Sequence, residues 1–153
     1  MIQAGGHGNP NPNTSWLQSR GMWVAYSGGM LLLHLILLCV PIFSIPVAWT
    51  ITHQIHCAVH LYFLHSLKGA PWISADQGAC QKETHWEQID NGMQYTTTRK
   101  FLVAVPVIIF LLTCFYTQND SKHFWLNLFS LLTVIVPKLP QFHGVRLFGI
   151  NKY

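Results

Sequence analysis

Residues 22–43 read MWVAYSGGMLLLHLILLCVPIF, 22 consecutive positions without Lys, Arg, Asp or Glu. An α-helix needs roughly 20 such residues to cross a bilayer. Three more stretches share this property: 45–64, 101–116 and 124–137. One ionised side chain at the bilayer centre costs on the order of 2.5–3.5 kcal/mol, so its absence from all four segments is informative. A soluble bundle would need a solvated face on each helix, and the first, third and fourth segments have almost none. The last two are short, spanning roughly 21–24 Å against a hydrocarbon core of about 30 Å. They therefore gain a turn at either end, sit in a thin bilayer such as that of the endoplasmic reticulum, or form a re-entrant pair. The reading is an all-α membrane protein with four transmembrane helices in one domain, 1–153.

Composition agrees. Only 9% of the 153 residues are charged, where soluble domains carry about 25%, and the 13% aromatic content suits a bilayer interface. A net charge of +4 without a basic run excludes a nucleic-acid-binding role. Residues 1–20 are polar and rich in Gly, Asn and Pro, which predicts a flexible arm and no cleavable signal peptide. The stretch 65–100 is a polar central loop, and 138–153 forms a tail of aromatic and basic residues. Four crossings put arm, loop and tail on one side, with Arg20, Lys68, Lys82, Arg99, Lys100, Lys138, Arg146 and Lys152. Lys122 alone lies opposite, so the positive-inside rule makes both termini cytosolic. The sequons at Asn13 and Asn119 are then expected to carry no glycan.

Several side chains invite a chemical role. His53, His56 and His60 share a helical face, with His34 on the preceding segment; together they suggest a metal-dependent lipid-modifying enzyme. The competing reading is a polar stripe, with Thr52 and Gln54, that hydrogen-bonds between helices. It is favoured because no carboxylate accompanies the histidines in the span. In the loop, Glu87 has the chemistry of a general base with His85 as partner, but no nucleophile or oxyanion motif follows, which leaves an interfacial loop anchored by Trp86. The four cysteines, unpaired in spacing, read as small buried residues. Ser27, Gly28 and Gly29 permit close helix packing, more within the bundle than between copies.

The segments Asn11-Pro-Asn-Thr14, Ser19-Arg-Gly21, His85-Trp-Glu-Gln88, Arg99-Lys-Phe101, Phe115-Tyr-Thr117 and Pro137-Lys-Leu-Pro-Gln-x-His-Gly-Val-Arg-x-Phe-Gly-Ile-Asn-Lys-Tyr153 resemble the ORM/ORMDL family. The resemblance spans nearly the whole chain and is weakest over residues 1–10. His53 and His60 are not part of the family pattern, which weakens the metal reading further. The resemblance implies a four-span protein of the endoplasmic reticulum membrane that does no catalysis. It would bind the subunits of serine palmitoyltransferase, the pyridoxal-phosphate enzyme that starts sphingoid-base synthesis, and inhibit it when ceramide is plentiful. It implies that Asn13 helps hold ceramide, that His85 lies near the same headgroup, and that the arm reaches toward the substrate channel. Met1 and Ile2 would lead that arm. Met22 and Phe63 are candidates to cover the acyl chains. No cofactor or metal is implied. A purely structural chaperone of the enzyme complex is the third alternative.

Overall fold

The computed structural model describes residues 11, 13–19, 21–70 and 78–146. Regular structure among them is helical, with one isolated antiparallel bridge, Lys68 to Thr84. Helix α1 runs Met22–Leu38 and stops because Val40 precedes Pro41, a position pushed out of helical geometry. Helix α2 spans Ile45–His60, with Pro46 in its first turn, where the missing N–H costs nothing. It runs on as a π turn over Leu61–Ser66.

The short helix α3, His85–Gln88, lies in the central loop. Helix α4 spans Thr97–Tyr116 and α5 spans Ser121–Ile135. Both begin before their uncharged segments, each on a side-chain cap. The Thr96 hydroxyl accepts from the Arg99 amide at 3.3 Å, and the Asp120 carboxylate accepts from the Lys122 and His123 amides at 3.1 and 3.3 Å. At 20 residues, α4 reaches roughly 30 Å. Among the described residues it is the helix long and apolar enough to cross a bilayer by itself, with mean hydropathy 1.9; α1 is apolar but shorter.

Helix α2 is the central post, packed against α1, α4 and α5. Its polar side chains face those neighbours. His34 pairs with Thr52 at 2.9 Å, and His53 donates from Nδ1 to Asn127 Oδ1 at 2.9 Å. Asn127 also accepts from Gln54 and donates to Thr50 Oγ1 and the His123 carbonyl, at 3.1, 3.2 and 2.7 Å. The stripe is thus an interhelical network. The outer faces are the reverse: Val24, Leu31, Ile108, Leu111, Trp125 and Phe129 are exposed. A Cβ on Gly28 or Gly29 would meet nothing within 4 Å, so the expectation that these glycines pack inside the bundle fails. They lie on the open face of α1. Cys39 is likewise exposed, whereas Cys57 and Cys114 are buried as expected.

Candidate functional site

The arm, the central loop and the tail meet at one end of the bundle, around Trp86. Helix α3 is too short to persist alone; a capping box holds it. The Thr84 amide donates to Glu87 Oε2 at 2.7 Å, and the Glu87 amide donates back to Thr84 Oγ1 at 3.4 Å. The same carboxylate receives both terminal nitrogens of Arg146, at 2.5 and 2.7 Å, which ties the tail to the loop. Burial by itself would raise the Glu87 pKa. The Arg146 fork and the Thr84 amide outweigh it and hold the carboxyl at about 2. A carboxylate so occupied is a poor proton acceptor, and Glu87 is no general base. Trp86 is also not an exposed interface anchor. It is buried, in one cluster with Leu17, Met22, Leu64, Ile89 and Leu102.

Arg99 fixes the loop from below. Although it is a charged residue in the first turn of α4, it is only 3% exposed. Its Nη2 donates to the carbonyls of Trp86 and Ile89 at 2.7 and 3.2 Å, its Nη1 to Gln94 Oε1 at 3.2 Å, and its guanidinium lies 4.7 Å from the Trp86 ring centre.

Gln88 is the hub that receives the arm. Its amide nitrogen donates to the carbonyls of Cys80 and Glu83 at 3.1 and 2.9 Å. Its oxygen accepts from Asn11 Nδ2 and Asn13 Nδ2 at 3.1 and 2.9 Å. Both donors and both lone pairs are thereby used. The Asn13 amide donates to Asn11 Oδ1 at 3.0 Å, and Trp16 Nε1 donates to the Asn13 carbonyl at 3.0 Å, just before a 3-10 turn over Ser15–Gln18. Asn13 is 1% exposed, so the described part of the expected arm is seated on the loop.

Lys138 closes the site from the tail side. It is 4% exposed. Its Nζ donates to the Leu102 carbonyl at 2.8 Å and to His60 Nδ1 at 2.9 Å. Leu102 lies four residues before Pro106, which has no N–H for that carbonyl; the lysine supplies the donor the helix lacks. The proton directions follow. His60 accepts at Nδ1, so its Nε2 carries hydrogen and donates to the Tyr26 hydroxyl at 2.6 Å; Tyr26 in turn donates to His56 Nε2. A one-way chain of hydrogen bonds runs from the tail to α1 and α2.

The expected site residues are distributed as follows. Asn13 and His85 come to the same element, α3. Asn13 bonds to Gln88, and the buried His85 ring is bonded to the Gly69 backbone. Burial lowers the His85 pKa, and the Gly69 bond offsets part of that. Met22 lies in the Trp86 cluster beneath them. Phe63 sits apart on the outer surface, edge-to-face with Tyr62 at 5.2 Å. Met1 and Ile2 lie outside the described residues. His34, His53, His56 and His60 are engaged by Thr52, Asn127, Tyr26 and Lys138; among the described residues no three metal-ligating side chains are grouped to hold an ion. Gln88, Arg99, Lys138 and Arg146 were not expected at the site. Only the Thr84-x-x-Glu87 box carried a local signal.

The model of the ORMDL family matches residues 11–146. The chain belongs to the ORMDL family. Its curated relatives within that family include the ORM1-like protein of Drosophila melanogaster, 62% identical over 98% of this chain and 97% of the relative. ORM1-like protein 2 of Bos taurus is 55% identical and ORM1-like protein 1 of Homo sapiens 53%, each over 96% of both chains. The ORMDL match begins at Asn11 and ends at Arg146, and the side chains of both reach α3, at Gln88 and Glu87.

Proposed function

We propose that this chain is a four-span protein of the endoplasmic reticulum membrane that acts as a ceramide-sensing negative regulatory subunit of serine palmitoyltransferase. It catalyses nothing itself and uses no cofactor. Membership of the ORMDL family supports a regulatory role. The girdle of exposed apolar side chains on α1, α4 and α5 supports immersion in lipid, since soluble monomers rarely present so much. Arm, loop and tail converge at one end of the bundle, as an even number of crossings requires, with both termini in the cytosol. A glycan on Asn13 in cells would overturn that orientation.

The observation that carries the sensing reading is the seating of Asn13 on α3, the element that also bears His85. Ceramide presents one amide and two hydroxyls. A primary amide offers two donors and an acceptor, so the lipid headgroup competes with Gln88 for Asn13, and His85 adds a second polar contact. Met22 and Phe63 would flank the acyl chains. Occupancy that favours one placement of residues 11–18 would direct Met1 and Ile2 toward the enzyme's substrate entrance. Each tenfold shift in that balance needs about 1.4 kcal/mol of preference. The test is an Asn13→Ala chain assembled with the enzyme. Assembly should persist while inhibition by added ceramide is lost; inhibition that survives the substitution rejects the role of Asn13.

A further inference from the structure

The two buried cations beside Trp86 raise a separate question. Arg99 and Lys138 both contact its indole ring, at 4.7 and 5.6 Å from the centroid. Their hydrogen-bond partners are carbonyls, the Gln94 side-chain amide and one imidazole. Neither faces a carboxylate at contact distance: the ion pair among the described residues is Arg146–Glu87. Asp90 and Glu87 act on Arg99 only at longer range. A buried charge without a counter-ion at contact distance is costly, and both cations are in that position. Arg99 Nε is buried without a hydrogen-bond partner, an unused donor on a group that always carries its proton.

Both cations line one open groove of about 320 Å³, and a third, the exposed Lys100, stands on its wall. Among the described residues that line it there is no carboxylate. Its polar end is Gln94 and Tyr95, before α4 begins; its other end runs along Val103 and Ala104, one turn into the apolar part of that helix. Positive charge at the mouth and an apolar floor along a membrane helix match a molecule with an anionic head and a hydrocarbon tail. The neighbouring cleft of about 360 Å³ offers no such match, because its Arg146 is already neutralised by Glu87.

We propose that the groove beside Trp86 binds the phosphate headgroup of an anionic glycerophospholipid, with Arg99, Lys100 and Lys138 as its cationic wall and Val103 and Ala104 under the first part of an acyl chain. Burial holds the Lys138 ammonium down at about 7, and a bound phosphate would keep it charged at higher pH. The site is separate from Asn13 and does not depend on the enzyme or on ceramide.

The test uses the purified full chain in nonionic micelles, with bound lipid counted by native mass spectrometry. Dioleoylphosphatidylglycerol and dioleoylphosphatidylcholine carry the same phosphodiester and differ in net charge. Phosphatidylglycerol should be retained about tenfold more strongly, and Lys100→Gln should weaken it about fivefold, the factor for one Lys near an anionic headgroup. Lys100 is exposed, so this variant keeps the fold, and Lys122→Gln at the opposite end should change nothing. Equal retention of the two lipids, or undiminished phosphatidylglycerol binding by Lys100→Gln, overturns the proposal. Displacement of phosphatidylglycerol by inorganic phosphate at comparable concentration would make the ligand a soluble anion and overturn the lipid assignment.

Discussion

Replacing Lys138 by Met should destabilise the bundle, and replacing Pro106 by Ala should abolish much of that cost. The Leu102 carbonyl has no helical donor because residue 106 is proline, and Lys138 Nζ supplies one at 2.8 Å. Methionine keeps the length and apolar stem of the lysine but cannot donate. The carbonyl is then buried and unsatisfied, at a cost of about 1–3 kcal/mol. In the Pro106→Ala background, the new amide stands four residues on and closes the ordinary helical bond, so the carbonyl no longer needs the lysine. His60 Nδ1 loses its partner in both backgrounds, and that loss cancels in the comparison. The double-mutant cycle should therefore show a coupling of about 1–3 kcal/mol. Reversible SDS titration of the four proteins in mixed micelles, followed by far-UV circular dichroism, measures it. Independent sites add to within about 0.5 kcal/mol; additivity at that level would mean that the lysine does not substitute for the missing amide.

Two further outcomes follow from the loop. The Glu87 carboxyl titrates at about 2 in the fold against an ordinary 4.5, so its contribution is complete above pH 4.5 and drains as the pH falls toward 2. Allowing for the partial exposure of Arg146, it is on the order of 2 kcal/mol; acid unfolding of Glu87→Gln should lack that part of the slope, and parallel curves for the two proteins would contradict it. Gln88→Ala removes all four bonds of the hub. Amide hydrogen exchange at Thr14, Ser15 and Leu17 should then accelerate at least tenfold, while α4 amides stay protected; unchanged protection of the arm would show that Leu17 packing suffices to hold it.

Much of the architecture was legible because helix formation and exclusion of charge are local properties. The uncharged segments became α1, α2, α4 and α5, and the histidines formed the interhelical stripe. The helix ends were less legible, since capping by Thr96 and Asp120 lengthened α4 and α5 at their starts and Pro41 shortened α1. At the site, Asn13 and His85 stood out through family motifs, but nothing local marked Gln88 as the residue that joins them.

The chain's own pattern of apolar and charged residues determined that it folds as helices with greasy outer faces, and its motifs determined its family. Tertiary structure alone decided what the ionisable residues do. Arg99 and Lys138 look like surface charges at helix ends, yet they are buried, because Trp86 and the carbonyl left open by Pro106 are brought to them. Lys138 meets His60 across 78 positions, Asn13 meets Gln88 across 75, and Arg146 meets Glu87 across 59. Whether a charge is solvated or enclosed depends on which distant segment covers it, and periodicity along the chain carries no record of that.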